Sequence, residues 1–198
     1  MNDEKVGHQR KSIRLSGYDY SLAGGYFVTI VTKGREQLFG SVADEKMKLN
    51  VFGRIVHRTW MEIPAHYPYV ELAAFCVMPN HFHGIIILTD NRRGGSANKG
   101  RVPEMATSVI ELLAGRDQTR PYARHQRHGL PEIVRWFKSF SARRINTIRK
   151  ISGVSVWQRN YYEHIIRDER NYANIFDYIQ TNPLNWETDE ENSRLGWV

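Results

Sequence analysis

Two apolar runs separated by a two-residue break constrain this chain more than any other feature. Val70 to Met78 reads VELAAFCVM, His81 to Leu88 reads HFHGIIIL, and Pro79-Asn80 lies between them. Short apolar runs bounded by turn residues fit strands, and Pro-Asn suits a tight turn, so the pair reads as a hairpin. Its second strand carries two polar intrusions, His81 and His83. Residues i and i+2 of a strand share a face, roughly 6.6 Å apart along the chain. Two imidazoles so placed can converge on one metal ion while Phe82 points the other way into packing. Such a pair leaves coordination positions open for a substrate oxygen and water, but it needs a third protein ligand. Taken alone, a His-x-His tripeptide is more often a pair of solvated or hydrogen-bonded histidines. Here it sits where a turn meets a hydrophobic strand, and polar groups there need compensating partners.

The rest of the chain supplies elements of both kinds. Tyr26 to Val31 follows Gly24-Gly25 and reads as a strand. Asn50 to His66 places Val51, Ile55, Val56, Trp60 and Ile63 at helical spacing, with Asn50 as N-cap and Pro64 near the end. From Asp90 to Leu130 the chain turns Gly-, Arg- and polar-rich, which reads as a mobile insertion at 90–130 within a single domain. Pro131 opens a helix to about Lys150, with Val134, Phe137, Ile145 and Ile148 on its apolar side. Val154 to Trp157 and Tyr161 to Ile166 are strand candidates. A last helix starts at the N-cap Asp168 and stops near Asn182, because Pro183 disfavours α geometry in the residue before it. The order β, α, ββ, α, β, α fits an α+β sandwich with an antiparallel sheet.

Composition narrows the setting. With 198 residues, 41% of them hydrophobic, the chain can bury a core as one domain. Its 28 basic against 21 acidic residues give a net charge of +7, a bias towards polyanions such as nucleic acid. The single cysteine, Cys76, excludes an intramolecular disulfide and a Cys-based zinc finger. Met1 to Arg14 is charged and has no apolar core of a secretory signal, and no apolar run is long enough to span a bilayer. A protein of the reducing cytoplasm is expected.

The last helix can be phased at about 100° per residue. Tyr172, Ile175, Phe176 and Ile179 then form one stripe, the expected core face. Tyr178 lies roughly 110° from the stripe's centre and Asn182 roughly 70°, one turn apart on the same flank. Tyr178 is therefore not needed to fill the core. A free phenol is a poor nucleophile at neutral pH, but a metal-polarised phosphodiester beside it changes that. The amide oxygen of Asn182 can then serve as the missing ligand. The plainer alternative is a flank aromatic followed by a helix stop.

Between Ile133 and Tyr162 there is no acidic residue, whereas Arg135, Lys138, Arg143, Arg144, Arg149, Lys150 and Arg159 all occur. Beside Trp136, Phe140, Trp157, Tyr161 and Tyr162, this suits a phosphate-tracking surface with rings for unpaired bases, or a solvated basic helix whose aromatics are core.

The stretches VMPNHFHGIIIL (Val77 to Leu88), VWQRNYYEHIIRDERNYANIFDYIQTNP (Val156 to Pro183) and RKSIRLSGYDYSLAGGYFVTIVTKGR (Arg10 to Arg35) together resemble the REP-associated tyrosine transposases, within the HUH-type single-strand DNA transposases. The resemblance covers about residues 10 to 88 and 131 to 186. It implies a ferredoxin-like sandwich, an antiparallel sheet with helices on one face. It implies Mg²⁺ or Mn²⁺ at His81 and His83, and Tyr178 as the nucleophile that cleaves single-stranded DNA near a hairpin through a 5′-phosphotyrosine. Better-studied insertion-sequence enzymes carry Gln four residues after the tyrosine; this chain has Asn182, with the same amide oxygen on a shorter arm. The resemblance leaves monomer or homodimer open and assigns nothing to the insertion. Two other readings stand beside it: a DNA hairpin-binding protein that has lost the chemistry, and a histidine-metal phosphodiesterase that uses water.

Overall fold

β1 (Gly24–Val31) starts at the glycine pair and runs through the centre of a four-stranded sheet. Leu15 and residues 17–89, 128–189 and 191–192 are described in this computed structural model. After β1 come β2 (Gly40–Ala43), β3 (Lys46–Leu49), α1 (Val51–Met61), α2 (Ile63–His66), β4 (Val70–Val77) and β5 (His81–Leu88). Then follow α3 (Leu130–Ile148), β6 (Tyr162–Ile166) and α4 (Glu169–Thr181). The sheet order is β4-β5-β1-β6 with every neighbouring pair antiparallel, and β2 and β3 form a separate hairpin. Set aside that hairpin and the short α2, and the chain runs β-α-β-β-α-β with both crossovers helical, the ferredoxin-like arrangement.

All eight residues of β5 are buried, so its two faces must both be covered. Phe82, Gly84, Ile86 and Leu88 face α1 and α3. Gly84 leaves room for Trp60 of α1: a Cβ there would come within 2.6 Å of the indole. Phe82, Trp60 and Phe137 pack with ring centroids 4.5 to 5.2 Å apart, each pair adding about 0.5–1.5 kcal/mol beyond plain burial. His81, His83, Ile85 and Ile87 face the other way. There Ile179 of α4 joins Phe27, Ile85, Ile87 and Ile166 in a second, smaller cluster.

The expectation of helices on one face therefore holds for α1 and α3 and is corrected for α4. Around Phe27, Ile85, Ile87 and Ile166 the second face of the sheet is apolar, and α4 supplies its cover. A bulge in β4 lets the helix approach. Leu72 pairs with Ile86 and Phe75 with Gly84, so one extra residue turns both Ala73 and Ala74 into the second cluster.

Caps behave as their residue types require. The Asn50 side chain accepts from Phe52 N and Gly53 N at the start of α1, and Asp168 accepts from Asn171 N at the start of α4. The helix expected to reach His66 breaks at Glu62, where Pro64 starts α2 afresh. The strand expected at Val154 to Trp157 reduces to one bridge, Thr32 to Trp157. Its residues are drawn to α3 instead: Asn146 Nδ2 donates to Val154 O and Trp157 Nε1 to Ser141 Oγ. Of the expected insertion, residues 90–127 lie outside the described residues, and Leu130 already belongs to α3. No helix among the described residues is long and apolar enough to cross a membrane.

Candidate active site

The sheet face under α4 carries both histidines, and the burial of each is nearly complete. Asn80, the second turn residue, is itself buried. Its Nδ2 donates to Arg35 O at 3.2 Å and to Glu191 O at 2.6 Å. Two carbonyl acceptors fix which end of the amide is nitrogen, so Asn80 Oδ1 is an acceptor only. His81 Nδ1, 2.9 Å from that oxygen, must be the donor. The tautomer follows: His81 Nε2 carries the lone pair, and it is buried with no hydrogen-bond partner. His83 is positioned by Thr29, its cross-strand partner in β1, whose hydroxyl Oγ1 lies 2.8 Å from Nδ1. Burial lowers the His81 pKa to about 4, against the smaller opposing pulls of Asp189 and Asn182. Burial and then the proximity of His81 hold His83 well below its ordinary value. Both rings are therefore neutral at pH 7, the form that coordinates metal.

α4 brings the phenol. Its buried contact is Ile179, with Tyr172 and Ile175 packed partly against the second cluster. Phe176, expected on the core face, is 37% exposed; it leans on Tyr172 at the helix surface because α4 covers only part of the sheet. Tyr178 is 45% exposed, off the core as its phase requires. Its ring meets the edge of Phe27, and its hydroxyl lies 3.3 Å from His83 Nε2. Phe27 also stacks on His83, so one ring of β1 braces both groups. The cleft they share has a volume of about 530 Å³ and opens between Tyr162, Tyr178, Asn185 and Thr188.

Asn182 closes the floor. Its Nδ2 donates to Asp189 Oδ2 at 3.0 Å, leaving Oδ1 buried without a hydrogen-bond partner of normal geometry. Asp189 is the site residue that the sequence reading missed. It follows a helical turn at Trp186–Thr188, and its Oδ2 lies 4.0 Å from His81 Nε2. Ligand atoms of His81, His83 and Asp189 all fall within 4.8 Å of one another. Two imidazole nitrogens, one carboxylate and an amide oxygen converge here, with His81 Nε2 and Asn182 Oδ1 buried without hydrogen-bond partners, and this donor set fits a divalent cation. An acidic run, Glu187 to Glu191, was the available signal, but it does not say which carboxylate turns inward.

The basic residues singled out on α3 are not brought to this cluster. α3 lies on the opposite face of the sheet, with Phe137 against Phe82. Arg135, Arg143 and Lys150 are exposed there, and Arg149 is half-buried. Arg144 pairs with Glu62 at 2.6 Å and donates to Thr59 Oγ1. Lys138 Nζ donates to the carbonyls of Gln158, Arg159 and Asn160 at 2.7, 3.1 and 3.2 Å. Arg159 is exposed in the segment leading to β6, whose first residue, Tyr162, borders the cleft.

Comparison with known proteins adds lineage to this geometry. No family model matches the chain. An uncharacterized protein of Haemophilus influenzae is 41% identical over 184 residues, 92% of this chain and 93% of its own length. A second protein of that bacterium, described as "Putative REP-associated tyrosine transposase", is 26% identical over 172 residues, 86% of this chain and 77% of its own. The chain is thus similar over most of its length to a protein described as a REP-associated tyrosine transposase. A solved structure of a REP-associated tyrosine transposase bound to a REP hairpin shares the fold, with a TM-score of 0.52 at 18% identity over 92% of this chain and 81% of that one.

Proposed function

We propose that this protein cuts and rejoins single-stranded DNA in the cytoplasm, with Tyr178 as nucleophile and Mg²⁺ or Mn²⁺ held by His81, His83, Asp189 and Asn182. The observation that carries the reading is the 3.3 Å approach of the Tyr178 hydroxyl to His83 Nε2, at the mouth of a cleft floored by unpaired donor atoms. Nothing in the core requires the phenol there, since its side chain is nearly half exposed.

In the proposed reaction the Tyr178 oxygen attacks a backbone phosphorus, forming an O–P bond as the bond to the 3′ oxygen breaks. The 5′ end stays on the tyrosine as a phosphodiester, the 3′ oxygen takes a proton, and the phenol's proton is lost to solvent. Attack by another 3′ hydroxyl reverses the step and reseals the strand. A bound divalent cation would draw charge from the non-bridging phosphate oxygens and stabilise the transition state. The protein's own part is positional. Asn80 and Thr29 orient the imidazole rings, Phe27 braces Tyr178, and α4 sets the phenol at the edge of the phosphate position. Both groups come from one chain, which supports a site complete within a single subunit. The relative solved with a REP hairpin supports a hairpin as the recognised element. Arg135, Arg143, Arg149, Lys150 and Arg159 would carry phosphate contacts, whereas Lys138 and Arg144 already have partners within the fold.

The test is incubation with an end-labelled single-stranded hairpin and Mn²⁺, followed by a denaturing gel. A covalent protein–DNA band that disappears in Tyr178→Phe is the expected result. Cleavage without an adduct would favour water as the nucleophile, and binding without cleavage a protein that has lost the chemistry.

A further inference from the structure

Five aromatic residues, Trp136, Phe140, Trp157, Tyr161 and Tyr162, accompany the basic stretch in the sequence. The fold separates them. Trp157 is buried, with Nε1 donating to Ser141 Oγ, and Tyr161 packs against the main core. Trp136 and Phe140 stack on each other in α3, which covers the face of the sheet away from the histidines. Tyr162 alone of the five borders the cleft that holds His83, Tyr178 and Asp189. Its side chain is 53% exposed.

Tyr162 is also the outer member of a row that crosses the sheet. β1 pairs Thr29 with His83 of β5 on one side and with Tyr162 of the edge strand β6 on the other. Residues in register on neighbouring strands share a face, so the row spans about 10 Å from His83 to Tyr162 at the usual strand spacing. Phe27 ties this row to the phenol of α4. Its ring meets Tyr162 at 6.3 Å and Tyr178 at 6.1 Å, both edge to face, and stacks on His83. A phosphate held between Tyr178 and the donor cluster therefore has an exposed aromatic ring within reach of its own nucleotide.

We propose that Tyr162 forms a nucleobase subsite, its ring stacking on the unpaired base next to the scissile phosphate. The proposal rests on the reading of Tyr178 as nucleophile and adds the part of the substrate that the cleft grips. Stacking uses the π face that every base has, so the subsite accepts purines and pyrimidines alike. It requires an unpaired strand, because a base inside a duplex has both faces covered by its neighbours. Selection of single-stranded DNA is thereby built into the rim of the site.

The experiment uses the end-labelled single-stranded hairpin and Mn²⁺, with DNA below saturation, after the wild type has been used to map the cleaved bond. Substrates then carry one abasic nucleotide on either side of that bond, and the wild type is compared with Tyr162→Ala and Tyr162→Phe. Losing one base–ring stack lowers the rate of adduct formation about 5- to 150-fold. That loss is expected for Tyr162→Ala on intact DNA, and for the wild type when one of the two flanking bases is missing. The two losses should not add, because each removes half of one contact. Tyr162→Phe keeps the ring and should restore most of the rate. Mn²⁺ binding by Tyr162→Ala, measured by calorimetry, should match the wild type, since the ring is not among the donors. Weaker binding would assign the loss to the donor cluster and overturn the subsite. Abasic nucleotides that cost the wild type nothing at either position overturn it without any variant. Additive losses, or a Tyr162→Phe as slow as Tyr162→Ala, overturn it too. In each of these cases the wild-type adduct still forms and the proposed function stands. A wild type that forms no adduct overturns that function and the subsite with it.

Discussion

Asn182 donates through Nδ2 to Asp189 Oδ2 across 3.0 Å, joining the residue after α4 to a carboxylate seven positions later. The bond orients both partners towards the histidines, with Asp189 Oδ2 itself 4.0 Å from His81 Nε2. Asp189→Ala removes a charged donor and the anchor of the Asn182 amide together. Mn²⁺ affinity should fall by about 10- to 100-fold or more, against a smaller loss for Asn182→Ala. Isothermal titration of both variants checks the order, and a greater loss for Asn182→Ala would reverse the assignment of the stronger ligand.

Gly84 separates His83 from Ile85 under the Trp60 indole, with no room for a methyl group. Gly84→Ala should cost about 1–3 kcal/mol in chemical denaturation, because the strand or the indole must shift. A variant as stable as the wild type would mean that Trp60 can give way freely.

Burial raises the Cys76 thiol to about 12. At pH 8 its thiolate fraction is then roughly a thousandfold below that of an ordinary thiol near 9. The native protein should therefore react with a disulfide probe very slowly, and the urea-unfolded protein at the usual rate. Equal rates would show the thiol to be accessible in the fold.

Lys138 and Arg143 look alike in the sequence and stand differently in the structure. Lys138→Met breaks three carbonyl contacts that hold the chain at residues 158–160, and should lower stability by about 1.5–3 kcal/mol. Arg143→Ala is exposed and should leave the melting temperature within a degree or two. If Arg143 contacts phosphate, its removal lowers the salt slope of DNA binding by about one. Thermal melts and binding at several salt concentrations separate the two effects.

The contrast shows how far residues alone could be read. Strands β1, β4, β5 and β6 were legible because β-branched runs end at Gly, Pro and Asn. Helix phase placed Tyr178 off the core for a sound reason, since periodicity reports which flank faces out. It did not report how much of the sheet α4 would cover, so Phe176 was assigned inward. The β2–β3 hairpin was missed because its turn, Asp44-Glu45, takes φ of 53° and 58° without any of the glycines that usually mark such turns. Asp189 was out of reach for another reason: it lies beyond the last periodic element, among acids whose order carries no direction. An Arg-rich helix, finally, says nothing about which face of a sheet it will cover.

As nucleophile, the phenol of α4 would become covalently joined to DNA. The adduct formed with a single-stranded hairpin and Mn²⁺ can be trimmed with nuclease, digested with trypsin and sequenced by tandem mass spectrometry. A nucleotide phosphate on Tyr178, within the peptide from Asn171 to Arg194 and not on Tyr172, is the expected product. Its attachment to any other residue, or cleavage that leaves every peptide unmodified, would contradict the account.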